Sequence, residues 1–291
     1  MSRGKKMSMA EMTVAVQNSP TAQQKARELE ETIAVLAKHR RNYEIPVKGS
    51  GHTLRFALIG DTQIGSLYQR LDALEKFYQV CKAECIRNVF HAGDLLDGWK
   101  VYKGQEFELC ARGWNEQAQM FRKQYPYISG CTTHFITGNH DLSFKKLVGL
   151  PVGPELVNLR GDFDYMGEDV ASMTLRTESG RPYKLMLAHP SGGTAYAISY
   201  RIQKTVEALA GGTKPNMIAL GHFHKAEMLP SYRDVAAIQV GCFQSQTPFM
   251  KTKPISAHVG GWLIEVTVGD RKGLSNRVRA EFISFYEPEE M

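Results

Sequence analysis

From about residue 50 onward the chain is a series of short apolar runs, each stopping at a polar turn, separated by stretches with helical spacing. Residues 54–59, 88–91 and 132–136 read as buried strands, and 71–85 and 105–124 as helices. The alternation continues through a strand at 185–187, a helix at 195–209 and a strand at 217–220. Apolar or alternating segments at 235–240, 261–268 and 278–285 suggest a second sheet packed on the first. Strands alternating with helices predict the α/β class. Ahead of this pattern, Ala22, Ala26, Leu29, Ile33 and Leu36 recur at spacings of four and three, which predicts an amphipathic helix opened by Ser19-Pro20. Its stripe is narrow and short, so docking on its own domain or acting as a linker is favoured over an independent coiled coil. A helical partner or a homo-oligomer stays open. The predicted organisation is an N-terminal arm over 1–49 and one catalytic domain over 50–291.

The ends of the apolar runs carry the chemistry. Asp61-Thr62-Gln63, Gly93-Asp94-Leu95-Leu96-Asp97, Gly138-Asn139-His140-Asp141, His189 and Gly221-His222-Phe223-His224 follow one another in that order. Side chains at the carboxyl ends of α/β strands converge on one crevice, which is where such sheets place ligands. A carboxylate, amide and imidazole set suits divalent cations such as manganese, iron or zinc, and two such ions close together clamp both oxygens of an in-line displacement at phosphorus. Two cations held close need an anionic ligand between them, and Asp94 is the best bridge. Asp61 adds a second carboxylate, Asn139 a neutral oxygen, and His189, His222 and His224 neutral imidazoles. Water bound between the ions would be the nucleophile, so no serine or cysteine nucleophile is required. His140 is read as the general acid for the leaving oxygen, with Asp141 fixing its tautomer. Asp97 is read as a hydrogen-bond partner behind the ligands. Taken singly, a histidine at a strand end is more often structural, and an aspartate before a helix is more often a cap. Their joint occurrence in order carries the reading.

These residues resemble the calcineurin-like metallophosphoesterase family over roughly 53–267. Within it, Phe90-His91-Ala92-Gly93-Asp94-Leu95-Leu96-Asp97 and Gly221-His222-Phe223-His224-Lys225 look most like the SbcD-type DNA-repair exonuclease branch. The resemblance implies a four-layer fold, two mixed β-sheets sandwiched between helices, with two divalent ions, manganese ahead of iron or zinc. It also implies one ion on Asp61, residue 63, Asp94 and His224, and the other on Asp94, Asn139, His189 and His222. Gln63 departs from the family pattern, which has histidine there. Its carbonyl binds a cation more weakly than imidazole does. Glutamine at this position also resembles a branch that hydrolyses ADP-ribose and CDP-alcohol pyrophosphates.

The leading expectation is therefore a metal-dependent phosphodiesterase acting on nucleic acid, DNA first. A hydrolase of small nucleotide diesters or pyrophosphates is the alternative, and a metal-free scaffold is disfavoured. Composition changes little. With 291 residues at 43% hydrophobic, the chain can bury a large core, and a net charge of +6 favours polyanionic partners only mildly. Five cysteines without a Cys-x-x-Cys pair point to reduced thiols. No apolar run approaches bilayer length and no leader follows the basic Met1–Lys6 start, so a cytoplasmic protein with no membrane partner is expected. Trp99, Tyr102, Phe107, Trp114 and Phe121, between Asp97 and Gly138, are read mainly as packing residues that can also wall the substrate site. Lys145, Lys146, Lys225, Lys251 and Lys253 are candidates for an anion-binding rim.

Overall fold

The computed structural model describes residues 42–47, 51–193, 197–210, 212, 214–253, 255–269 and 277–286. The expected N-terminal helix lies outside these residues. Strands β1 (Asn42–Pro46) and β2 (Thr53–Ile59) lead to helix α1 (Leu71–Ala83), strand β3 (Asn88–His91), a 3-10 turn at Gln105–Phe107 and helix α2 (Gly113–Gln124). Then come β4 (Thr132–Thr137), α3 (Leu142–Val148), α4 (Val152–Leu159), β5 (Phe163–Glu168), β6 (Val170–Arg176) and β7 (Pro182–Ala188). The chain continues through α5 (Tyr200–Ala208), β8 (Met217–Leu220), β9 (Ala226–Tyr232), β10 (Val235–Val240), α6 (Pro248–Thr252), β11 (Gly260–Thr267) and β12 (Arg277–Ser284).

These strands form two mixed six-stranded sheets, ordered β12-β11-β2-β3-β4-β5 and β1-β6-β7-β8-β10-β9. In the first, β2, β3, β4 and β5 run parallel and β11 closes on β2 antiparallel. Strands β3, β8 and β10 are buried at every position, as expected where both faces of a sheet are covered. One core lies between the sheets, where Phe56, Phe90 and Ile264 of the first meet Leu185, Met217 and Ile238 of the second. Trp262 stitches the layers by donating its Nε1–H to the Gln239 carbonyl at 3.0 Å. A second core sits on the outer face of the first sheet, where α1 buries Leu74, Phe77, Tyr78 and Cys81 at helical spacing. Helix α5 buries Ile202 and Val206 and packs on β10 of the other sheet. The result is the four-layer α/β arrangement of two sheets between helices.

Three differences from the sequence pattern have physical causes. Strand β1 pairs in parallel with β6, from Asn42↔Ser172 to Pro46↔Arg176, so the sheet begins ahead of residue 50. That strand is short and half polar, which hides it from a periodicity reading. The helix expected over 105–124 is broken into a 3-10 turn and α2, because the intervening residues bond to the loop after β2: Cys110 donates its backbone N–H to Gly65 and Leu67 to Glu108. Helix α1 stops before Cys85, which sits in the left-handed region at φ 56°. No helix among the described residues is long and apolar enough to cross a membrane.

Candidate metal centre

The loops that follow β2 and β3 are zipped together by main-chain bonds. Asp61 and Gln63 donate their N–H groups to Gly93 and Asp94, Ile64 donates to Leu95, and Asp97 donates back to Ile64. The zipper forces unusual backbone: Asp61, Gln63 and Asp94 have φ of 51°, 48° and 56°, and His222 and His224 across the crevice have 79° and 54°. Five non-glycine residues in this region, all of them in the motifs, mark stored strain of the kind that clusters at functional sites. The glycines of the motifs let the walls close. A Cβ on Gly138 would lie 2.3 Å from Asp94 Oδ1 and 2.7 Å from His189 Nε2, and one on Gly221 would lie 2.8 Å from His189 Nδ1.

Asp94, His189 and His222 bring one donor atom each within 4.8 Å of one another. His189 Nε2 lies 3.1 Å from Asp94 Oδ2 and 3.2 Å from Asn139 Oδ1. Its Nδ1 is 2.7 Å from the Ala92 carbonyl, which can only accept, so Nδ1 carries the hydrogen and Nε2 faces the ligand cluster. His222 Nε2 is bound in the same way to the Gly192 carbonyl at 2.8 Å, which leaves Nδ1 as the nitrogen that could hold a cation. On the other side, His224 Nε2 lies 3.3 Å from Asp61 Oδ1, and the Asp61 carboxylate accepts the backbone N–H of His222 at 3.0 Å. Gln63 donates Nε2 to Asp94 Oδ2 at 3.3 Å, while its Oε1 is buried with no hydrogen-bond partner. A buried amide oxygen without a donor costs stability unless something electropositive meets it.

The electrostatics without an ion are those of a site waiting for positive charge. Burial works against charge on His189, yet the Asp94 and Asp61 carboxylates outweigh it and hold the imidazole up at about 10. Burial also opposes charge on Asp94, but His189 and His140 keep its carboxyl below the ordinary range. His222 is pushed down to about 4 by burial and by the cationic His189.

His140 and Asp141 part company. The backbone N–H of His140 donates to Asp94 Oδ1 at 2.9 Å, and its Nδ1 is 2.6 Å from the Asp97 carbonyl and 3.7 Å from the Asp97 carboxylate. Asp141 does not orient His140. Its fully buried carboxylate instead accepts the backbone N–H groups of Leu95, Leu96 and Gly138 at 3.2, 2.9 and 3.0 Å, tying the loop after β3 to the loop after β4. The tautomer-fixing role expected of Asp141 belongs to Asp97. Burial and the nearby Asp94 charge push the Asp141 carboxyl up to about 7 against the pull of those amides. Around Asp97 the structure adds a polar group that the motifs did not reveal. Gln105 donates to the Asp97 carbonyl at 2.7 Å, and Gln244 donates to Ser66 Oγ at 2.9 Å and reaches Asp97 Oδ1 at 3.4 Å.

Above these groups opens a cavity of about 590 Å³ lined by Gln63, Asp94, Asn139, His140, His222 and His224 on one side. Tyr102, Phe249, Met250 and Lys253 line it as well. Of the aromatic residues considered for a substrate wall, only Tyr102 reaches it. Phe121 is buried in the outer core, Trp114 packs edge-on against Phe144, and Phe107 is exposed. Of the lysines, Lys253 borders the cavity, whereas Lys145 pairs with Glu168 and Lys225 with Ser256. His134 is a packing residue, held by Asp164 and Asn88 at 2.9 Å each and stacked on Phe90.

A family model described as calcineurin-like phosphoesterase matches residues 54–226, which spans β2 through the His222 and His224 loop. The chain belongs to the calcineurin-like phosphoesterase family. Among curated proteins it is similar to the DNA polymerase II small subunit of Halobacterium salinarum, 25% identical over 240 residues that cover 71% of this chain and 47% of that one. The small subunit from Methanothermobacter thermautotrophicus is 28% identical over 237 residues, covering 67% and 48%. The chain therefore spans about half the length of these curated relatives. Among solved structures, Vps29 from Entamoeba histolytica complexed with zinc aligns at a TM-score of 0.37 with 14% identity, covering 80% of this chain and all of that one. Membership in the calcineurin-like phosphoesterases implies divalent metal ions, and the donor set fits them. Carboxylate, amide oxygen and imidazole groups converge, and the orphaned Gln63 Oε1 is the atom a cation would satisfy.

Proposed function

We propose that this chain is a metal-dependent phosphodiesterase acting on nucleic acid, DNA first, in the manner of the SbcD-type exonuclease branch. The observation that carries the reading is the convergence of Asp94, His189 and His222 beneath a cavity that also holds the imidazole of His140. Asp61, Gln63, Asp94 and His224 would hold one divalent ion and Asp94, Asn139, His189 and His222 the other, with manganese ahead of iron or zinc. When bound, such ions supply Lewis acidity at the phosphoryl oxygens and a water acidic enough to attack near neutral pH. The rest falls to the protein. His140, with Nδ1 committed to the Asp97 carbonyl, presents Nε2 to protonate the leaving oxygen. Lys253 at the cavity border adds positive charge for a polyanion. Two relatives that are by name DNA polymerase small subunits support DNA over other diesters.

A second reading, hydrolysis of small nucleotide diesters or pyrophosphates, is favoured by Gln63 in place of histidine. One assay separates them: manganese-dependent turnover of single-stranded DNA, RNA, cyclic nucleotide and ADP-ribose, with Asp94→Asn as control. DNA cleavage that the control lacks supports the nuclease. Turnover of ADP-ribose or cyclic nucleotide alone replaces it with the second reading. No turnover of any substrate, together with no bound ion, leaves the metal-free scaffold.

A further inference from the structure

One wall of the cavity is built of two rings drawn from distant parts of the chain. Tyr102, in the loop after β3, stacks on Phe249 of α6 with ring centroids 4.6 Å apart and planes inclined by 26°. One carboxylate ties the pair together. Glu108 accepts the Tyr102 hydroxyl at 2.8 Å through Oε2 and the Phe249 backbone N–H at 3.3 Å through Oε1. Helix α6 is itself fixed by Thr247, whose side chain caps the Met250 N–H at 3.2 Å with Pro248 following it. Tyr102 also meets His140 edge-on at 6.3 Å, which places the stack beside the general acid.

This rigid wall is not packed like core. Phe249 keeps 38% of its surface exposed while lining the cavity. An aromatic face held in place, left wet, and set beside phosphate-directed groups is what an unpaired base needs, because every base offers a π-face and none requires a particular edge. The cavity, at about 590 Å³, has the size of a small-ligand site and not of a duplex groove.

We propose that Phe249, backed by Tyr102, is the platform on which an unpaired nucleobase of the substrate rests, so that the scissile diester must lie next to an unstacked base. This rests on the phosphodiesterase reading above and narrows its substrates to unpaired strands and their fragments. Positions inside a duplex are excluded unless the base is drawn out of the stack.

The test compares two diesters that release the same p-nitrophenolate. One is thymidine 5′-(p-nitrophenyl phosphate), and the other is methyl p-nitrophenyl phosphate, which lacks the nucleoside. The ratio of their kcat/KM values, measured with manganese, reports the contribution of the nucleoside and cancels effects on chemistry, and its change in a Phe249 variant reports the part owed to the ring. Phe249→Ala and Phe249→Leu should lower that ratio by about fivefold or more, and Phe249→Trp should retain it. The leucine variant keeps apolar bulk against Tyr102, so a collapsed wall is separated from a lost π-face. A ratio equal to the parent's in both the alanine and leucine variants overturns the platform.

If the parent hydrolyses neither diester and no substrate of the assay above, the phosphodiesterase reading fails by itself. The platform is then judged by calorimetric binding of thymidine 5′-monophosphate against 2-deoxyribose 5-phosphate. Tighter binding of the nucleotide, lost in Phe249→Leu, supports the platform, and equal or absent binding of the two overturns it.

Discussion

The imidazole of His140 hangs by its Nδ1–H from the main-chain carbonyl of Asp97, at 2.6 Å. A carbonyl cannot donate, so the main chain fixes one tautomer, with the Asp97 carboxylate standing further off at 3.7 Å. Gln105 donates to that same carbonyl at 2.7 Å, which holds the acceptor in place. A histidine fastened in this way has Nε2 as its working atom.

His140→Ala should therefore keep bound metal yet lower turnover by roughly a hundred- to ten-thousandfold, the scale of general acid catalysis. The leaving group decides the matter. Release of p-nitrophenolate needs little protonation and release of a nucleotide alkoxide needs much, so the defect should shrink on the activated substrate. Equal defects on both would remove His140 from the acid role.

Asp141→Ala should act on stability and not on proton transfer. The substitution strips the acceptor from three buried N–H groups, those of Leu95, Leu96 and Gly138, each worth about 1–3 kcal/mol when left unsatisfied. Water and relaxation recover part of this, so an overall loss of about 3 kcal/mol is expected in denaturant unfolding, with weaker metal binding as the two loops loosen. The pH at which residual activity falls off should stay where the parent has it. A shifted pH profile in a variant of undiminished stability would return Asp141 to a role on His140.

That pair shows where a sequence stops being legible. The residues proposed to face the metal can be read because each follows an apolar strand and belongs to a residue type with few other reasons to be there. Asp61, Asp94, Asn139, His189 and His222 do meet at the carboxyl ends of β2, β3, β4, β7 and β8. The partner of His140 cannot be read, because a backbone carbonyl has no residue type to signal it, and the sequence offers the adjacent carboxylate of Asp141 instead, which the fold turns toward the Leu95, Leu96 and Gly138 amides. Strand β5 escapes a periodicity reading for another reason. Phe163–Glu168 has buried positions three apart, matching neither alternation nor a continuous apolar run, and only pairing with β4, through an irregular register near Phe135 and Ile136, makes it a strand. Phe249 carries no signal of its own, because its partner Tyr102 lies far away in the sequence and only the fold joins them.

Manganese binding should release protons. Without metal His189 is held up at about 10 by Asp94, so at about pH 8 its imidazole is cationic, whereas a metal ligand must be neutral. Loading the site then expels a proton from His189, and apparent affinity rises with pH until that range is passed. Calorimetric titration in two buffers of different ionisation enthalpy measures the number directly. Zero protons released at pH 8 would mean that His189 is not a ligand.

Asp94→Asn should abolish metal binding and activity together, since a neutral bridge leaves two cations repelling each other. Relief of carboxylate repulsion would by itself make the metal-free variant more stable. The geometry argues the opposite, because Asp94 faces His189 at 3.1 Å and its carboxyl is held below the ordinary range. A carboxyl depressed in the folded state contributes stability above its unfolded pKa, which is lost as pH falls through the folded value. The metal-free variant should thus melt lower than the metal-free parent at neutral pH, and the gap should close in strong acid. A higher melting temperature for the variant would show that repulsion with Asp61 dominates.

Gln63→His tests the departure from the family pattern. The backbone does not oppose it: Gln63 has a φ of 48°, and histidine is among the residues that tolerate the left-handed region. The amide that is lost gives one contact of 3.3 Å to Asp94 and leaves Oε1 buried without a partner, so little hydrogen bonding is forfeited. An imidazole in its place is the stronger donor, and the manganese concentration for half-maximal activity should fall, by about tenfold if the gain is near 1.4 kcal/mol. Turnover need not follow, because a stronger donor leaves the ion a weaker Lewis acid toward the substrate phosphate. Equilibrium dialysis of manganese, run beside the activity titration, separates binding from rate. Identical manganese dependence in the variant and the parent would show that residue 63 does not touch the metal, and the orphaned Oε1 would then need another electropositive partner.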